Sequence, residues 1–154
     1  MTVLKVMCGA PGSGKSTYVK NHAKPEDLVV SRDEIRFSLL TPGMSYFSKE
    51  KEVYDIFCNR INAGIGRYNV IWADATHLNN YSRWKLLYNI FRHDFEKIEF
   101  ICIETPLEKC LENNLKREKK CQVPEDALKS MYSRYMRPSV NDFLSLNVSI
   151  KVVK

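Results

Sequence analysis

Short apolar runs alternate along this chain with longer stretches in which apolar residues recur every three or four positions. Residues 3–8, with Val3, Leu4, Val6, Met7 and Cys8, read as a first strand. Leu28, Val29 and Val30 form a second apolar run, Val70, Ile71, Trp72 and Ala73 a third, and residues 97–103 a fourth. Residues 148–152 alternate apolar and polar and predict a last strand.

The intervening stretches read as helices. One follows a glycine-rich turn and runs to about Ala23. A second starts at Ser31, where a hydroxyl followed three positions later by Glu34 is a capping box, and stops at Thr41, Pro42 and Gly43. Ser48 is expected to cap a third, which carries Val53, Ile56, Phe57, Ile61 and Ile65 on one face and closes at Gly64 and Gly66. A fourth, from about Asn80, shows a stripe of Trp84, Leu87, Tyr88 and Phe91. Thr105, Pro106, Leu107 and Glu108 read as another capping box with proline at the first helical position, followed by Leu107, Leu111 and Leu115 on one face. Pro124, Glu125 and Asp126 open the last helix, with acids in its first turn.

Strands alternating with helices of this length predict an α/β protein: a three-layer α/β/α domain with a mainly parallel sheet. No repeat, linker or low-complexity tract divides it, so residues 1–154 read as one domain.

Composition narrows the partners. With 24 Lys and Arg against 18 Asp and Glu, the formal charge is +6, which favours an anionic partner: nucleotide, nucleic acid or phosphorylated metabolite. The five cysteines include no C-x-x-C pair, and three scattered histidines do not complete a zinc site. Reduced thiols, no secretory core at the start and no apolar run near the ~20 residues of a membrane span predict a cytoplasmic protein without membrane contact.

The most specific chemistry lies in Gly9, Ala10, Pro11, Gly12, Ser13, Gly14, Lys15 and Ser16, a full G-x-x-x-x-G-K-[ST] phosphate loop, with Thr17 following. Glycines let the backbone wrap a phosphate and turn its N–H groups inward, and the next helix adds its positive end. Lys15 is suited to the β- and γ-phosphates of ATP, and the Ser16 hydroxyl to Mg²⁺. The loop sits between an apolar strand and a helix, the context its chemistry requires.

Asp74 ends the third apolar run. Ligands bind at the carboxyl ends of strands in such sheets, which makes Asp74 a second candidate for Mg²⁺; the alternative is a capping or loop acid. Asp33 lies three residues past Val30. It is either a carboxylate that accepts the proton of an acceptor hydroxyl or an ordinary first-turn acid paired with Arg36. The fork of Arg36 equally suits an acceptor phosphate.

Lys116, Arg117, Lys119 and Lys120 form a short basic segment, either a solvated helix end or a lid bringing a cation over the transferring phosphate, with Arg117 as the candidate. Tyr46, Phe47 and Tyr54 lie near Lys49 and Lys51, a mixture that can stack bases but also fits one helix face, and the reading as core and rim is preferred. The three histidines read as structural, although His77 lies close to Asp74.

On these residues the chain resembles the 5′-kinase domain of the phage-type polynucleotide kinases, from the first strand to about Arg137. The matching elements are residues 9–17; Ser31, Arg32, Asp33, Glu34, Ile35 and Arg36; residues 70–74 with Thr76; and Val123 and Pro124 through Ser130, Met131 and Tyr132. The resemblance implies a P-loop kinase fold and transfer of the γ-phosphate of ATP to the 5′-hydroxyl of DNA or RNA. It implies Asp33 as general base, Arg36 on the acceptor phosphate, Lys15 and Ser16 on ATP and Mg²⁺, and Arg117 on the transferring group. Thr76 joins Asp33 and Arg36 as an expected acceptor-binding residue. The chain departs from the family at Asn113 and Asn114, one turn before Arg117, where lids often carry a second arginine. No phosphatase domain follows residue 154, so 3′-end processing is expected from elsewhere. A kinase for a small acceptor, zeta-toxin-like or acting on a nucleoside, nucleotide or sugar, shares the same donor machinery. A third alternative is a non-catalytic ATP-binding module.

Overall fold

The first apolar run takes the centre of the sheet. In the computed structural model, which describes Met1–Lys154, strand β1 (Thr2–Cys8) lies between β3 (Val70–Asp74) and β4 (Phe95–Ile103). Strands β2 (Leu28–Ser31) and β5 (Val148–Val153) flank them, giving the order β2-β3-β1-β4-β5 with every pair parallel. Leu4, Val6, Met7 and Cys8 are fully buried, as a strand covered on both faces requires. The chain leaves β1 towards β2 on one side and leaves β4 towards β5 on the other. The carboxyl ends of β1 and β4 therefore flank a topological switch point, where open sheets of this kind hold ligands.

Six helices cover the sheet: α1 (Lys15–His22), α2 (Arg32–Leu39), α3 (Glu50–Gly64), α4 (Asn80–Asn89), α5 (Leu107–Leu115) and α6 (Glu125–Ser133). Alternation within the strands divides the core in two. Leu4, Val6, Ile71, Ala73 and Phe100 face the larger cluster, with Phe57 and Ile61 of α3 and Leu86 and Leu87 of α4. Met7, Trp72, Ile101 and Ile103 face the smaller one with Val19 of α1. Burying each such side chain contributes about 1.5–3 kcal/mol, so Val53, Phe57 and Ile61 attach α3 more firmly than its exposed pairs do. A third cluster, with Ala10, Cys110, Val123 and Leu128, joins α5 and α6 to the start of the phosphate loop.

Four local expectations are corrected. Ser48 does not cap α3; its hydroxyl donates to the Ser45 carbonyl at 2.8 Å and closes the preceding turn, leaving Lys49 at the cap. Tyr88 and Phe91 of the expected α4 stripe are exposed, and the buried face is Arg83, Leu86, Leu87 and Ile90. That face has the same i, i+3, i+4, i+7 spacing, hidden in the sequence by an arginine. The guanidinium is accommodated because it donates to the Met136 carbonyl at 2.6 Å and to Asn80 at 3.1 Å.

On α5, Leu115 is exposed while Cys110 and Asn114 are buried. Asn114 replaces an apolar residue there because its amide bonds both ways with the Val123 backbone, at 2.8 and 3.0 Å. Thr105 is not a helix cap: Pro106 occupies that position without a side-chain bond. By contrast, Ser31 does cap α2, its hydroxyl accepting from the Glu34 N–H at 3.2 Å, although the Glu34 side chain does not complete the expected box. No helix is long and apolar enough to cross a membrane.

Candidate active site

The loop between β1 and α1 is held open by contacts far away in sequence. The Gly9 N–H donates to the Thr76 carbonyl at 2.8 Å, the Thr105 hydroxyl to the Ser13 carbonyl at 2.6 Å, and the Asn113 amide to the Gly12 carbonyl at 2.8 Å. Thr105 and Asn113, whose roles the sequence did not disclose, thus fix the loop from β4 and α5. Gly12 has a positive φ of 78°, and a Cβ there would lie 2.4 Å from the Cys110 carbonyl oxygen. Only glycine lets α5 pack this closely on the loop. Gly14 caps α1 with φ 101° and no side chain, so the first N–H groups of that helix are left for a ligand.

Lys15 is buried and its ammonium donates to the Ala10 carbonyl at 2.8 Å and the Ser13 hydroxyl at 3.4 Å. Burial pulls its pKa below the ordinary lysine value, against the opposing pull of Asp74 and Asp33. Its charge is thus held beside one carbonyl and one hydroxyl oxygen, weaker partners than a phosphate. Pro11, Gly12, Gly14, Lys15, Ser16 and Thr17 line one wall of a cleft of about 460 Å³.

Strand pairing places Ser31 beside Asp74 at the ends of β2 and β3. The Ser16 hydroxyl, from the first turn of α1, donates to Asp74 Oδ2 at 2.8 Å. Burial raises the Asp74 carboxyl above its ordinary value, with Lys15 and the Ser16 hydroxyl pulling it back. A hydroxyl and a carboxylate at this separation, beside a phosphate loop, are hard oxygen donors that fit Mg²⁺. Ser16 and Asp74 are the oxygen donors this part of the cleft offers such a cation.

Across the cleft, α2 presents Asp33. Arg36 Nη1 and the Tyr46 hydroxyl, the latter at 3.2 Å, both donate to its Oδ1, and Arg117 Nη2 donates to its Oδ2 at 2.9 Å. Burial pushes the Asp33 carboxyl up, but Arg36 and Arg117 together outweigh it and hold the group below the ordinary aspartate value. The Tyr46 hydroxyl is pushed up to about 12 by burial and then by Asp33, so it stays protonated and donates.

Arg36 is buried and gripped by Glu50 in a two-pronged pair, Nε to Oε2 at 2.8 Å and Nη2 to Oε1 at 2.7 Å. Its Nη1 also reaches the Tyr46 oxygen at 3.1 Å. These bonds occupy four of the five N–H groups of a guanidinium. Removing one partner of such a buried pair costs about 3–5 kcal/mol, whereas an exposed pair contributes about 0–1 kcal/mol. The Arg117–Asp33 pair, with side chains 27% and 37% exposed, lies near the second limit. Arg117 is therefore held less firmly than Arg36.

Thr76 lines the cleft between Asp74 and the buried His77. His77 Nδ1–H donates to the Met7 carbonyl at 2.7 Å, and burial lowers its pKa to about 3, so it is a neutral structural group. Tyr46 and Phe47 face the cleft, while Tyr54 packs against the core and Lys51 pairs with Asp55 at 3.0 Å on the surface. Glu50 carried no signal in the sequence beyond an acid in a helical first turn.

A family model described as an AAA domain matches residues 4–138, and the chain belongs to that family. Its fold is that of P-loop kinases, which bind nucleotide at this loop. Among solved structures it is similar to a chain of the Pnkp1/Rnl/Hen1 RNA repair complex, with 23% identity and a TM-score of 0.70 over 86% of this chain and 43% of that one. A fungal RNA kinase matches with 12% identity and a TM-score of 0.67, covering 99% of this chain and 74% of the other. A sugar kinase from Janibacter sp. HTCC2649 matches with 17% identity and a TM-score of 0.63, covering 99% and 86%. The chain therefore spans less than half the length of the RNA repair chain. Likeness at these identities is a likeness of fold.

Proposed function

We propose that this protein is an ATP-dependent polynucleotide kinase that moves the γ-phosphate of ATP to a 5′-hydroxyl of DNA or RNA. The observation that carries the reading is Asp33, a carboxylate lining the cleft with the phosphate loop, its Oδ1 held by Arg36 and Tyr46 and its Oδ2 met by Arg117 alone. The RNA repair and RNA kinase neighbours support a nucleic acid acceptor, and so does the net charge of +6.

In this account Gly12, Gly14 and the first turn of α1 bind the phosphates of ATP, and Lys15 leaves the Ala10 carbonyl for them. Ser16 and Asp74 would hold Mg²⁺, which would supply positive charge to neutralise the phosphates. Arg117 moves from Asp33 to the γ-phosphate, freeing Oδ2. Asp33 accepts the proton of the acceptor hydroxyl through that oxygen, while Arg36 and Tyr46 keep Oδ1 in place. The hydroxyl oxygen bonds to phosphorus as the bond to the β-phosphate oxygen breaks, giving a phosphorylated end and ADP. Lys15 and Arg117 stabilise the charge that develops. Thr76 and Arg36, which line the cleft, steady the acceptor.

A second reading has one observation in its favour. Because Glu50 already grips Arg36, a kinase for a small unphosphorylated acceptor would use the same cleft, as the sugar kinase neighbour suggests. Steady-state phosphorylation of matched acceptors separates them: a 5′-hydroxyl oligonucleotide against a free nucleoside and a free sugar. Preference for the oligonucleotide upholds the proposal, and transfer only to a small acceptor replaces it.

A further inference from the structure

The link between α2 and α3 brings aromatic rings to the acceptor side of the cleft. Tyr46 is locked there, because its hydroxyl bonds Asp33 and Arg36 while the Arg36 guanidinium lies 4.6 Å over its ring. Phe37 meets it edge-on at 5.9 Å. Phe47 packs on Tyr46 with ring centroids 4.7 Å apart and planes at 70°. That near-perpendicular contact covers at most one face of Phe47, which lines the cleft and remains 41% exposed. Phe47 thus offers an open aromatic face to the cleft, next to the network that holds Asp33.

We propose that Phe47, braced by Tyr46, is a stacking platform for the terminal nucleobase of the acceptor. The inference rests on the polynucleotide kinase reading and adds to it how the strand end is seated. Phe47 is separated from the Asp33 carboxylate by a single side chain, Tyr46. A hydroxyl held at Asp33 belongs to a nucleotide whose base extends about one ring further, over Phe47. Stacking is tolerant of sequence because every base has a π-face, so this platform accepts any terminal base and disfavours an end that lacks one. Lys116 on the opposite wall supplies charge that draws in the strand's phosphates.

The test uses two short 5′-hydroxyl oligonucleotides that differ only at the first nucleotide, which carries adenine in one and is abasic in the other. The readout is the ratio of their KM values on the same enzyme, in which any general loss of activity cancels. The wild-type protein is expected to show a KM about tenfold higher for the abasic end, since stacking contributes about 1–3 kcal/mol per base and a tenfold change is 1.4 kcal/mol. In Phe47→Ala the ratio should collapse to within about twofold of unity, and Phe47→Tyr, which keeps the ring, should restore it. A ratio that persists in Phe47→Ala, or is near unity in the wild-type protein, overturns the platform alone. If the wild-type protein phosphorylates neither oligonucleotide, the polynucleotide reading falls and the platform falls with it.

Discussion

Arg117 Nη2 donates to Asp33 Oδ2 at 2.9 Å, joining the basic segment after α5 to the first turn of α2 across the cleft. The two residues lie 84 positions apart in sequence and come from different walls of the same site. Their side chains are 27% and 37% exposed, so the pair adds little to stability, and in the proposed mechanism nucleotide exchanges it for a better contact. From it two predictions follow, one for each partner.

Asp33→Ala removes the proposed proton acceptor while leaving the phosphate loop in place. Transfer should fall by about 10²–10⁴-fold, the usual contribution of general acid–base catalysis, with ATP affinity nearly intact. Single-turnover transfer alongside calorimetric ATP titration checks this. Transfer by the mutant at the wild-type rate would remove Asp33 as the base.

Arg117→Ala takes away the cation that the account moves to the γ-phosphate. The expected loss in kcat is about 10³-fold or more, with little change in melting temperature because the Arg117–Asp33 pair contributes so little to stability. A large drop in melting temperature with kcat preserved would mark Arg117 as structural instead.

Gly12 shows why the loop needs its glycines where it has them. Gly12→Ala places a Cβ 2.4 Å from the Cys110 carbonyl at a backbone angle that side chains rarely adopt. Strain of this kind costs about 1–3 kcal/mol, and relief requires the loop or α5 to shift. Lower thermal stability and loss of ATP binding are expected together, by thermal shift with and without Mg·ATP. Full ATP stabilisation of the mutant would show that α5 does not constrain the loop.

Much of this was legible in the sequence, for reasons that differ between elements. The strands and the phosphate loop are local: an apolar run, a glycine pattern and a helix start each declare themselves within about ten residues. The Ser31 cap did so as well. What escaped were choices made by distant partners. The buried face of α4 includes Arg83, which is tolerated only because the Met136 carbonyl and Asn80 accept its N–H groups. Thr105 looked like a helix cap and instead holds Ser13, 92 positions away in sequence. Asp33 and Arg36 were visible as a pair, but Glu50, which decides that Arg36 is held, is set by how α2 packs on α3.

His77 gives a pH dependence with a definite sign. Its folded pKa is lowered to about 3 by burial, against an ordinary 6.5, so the unfolded chain takes up a proton at pH values where the native protein does not. The stability this contributes is complete above pH 6.5 and is lost as pH falls from 6.5 towards 3. In His77→Asn, which tolerates the positive φ of 38° at this position, unfolding free energy should fall less steeply over that window than in the wild-type protein. Denaturant titrations at a series of pH values measure both slopes, and equal slopes would mean that His77 is not held neutral by the fold.

The central claim is that this cleft transfers phosphate from ATP to the end of a nucleic acid strand. The most direct measurement incubates the protein with Mg²⁺, ATP labelled at the γ-phosphate and a short oligonucleotide bearing a 5′-hydroxyl, with Lys15→Ala as the blank. The account predicts label on the 5′ end with the wild-type protein and none above background with the mutant. ATP binding without label on any DNA or RNA end would contradict it and leave the small-acceptor kinase as the reading to pursue.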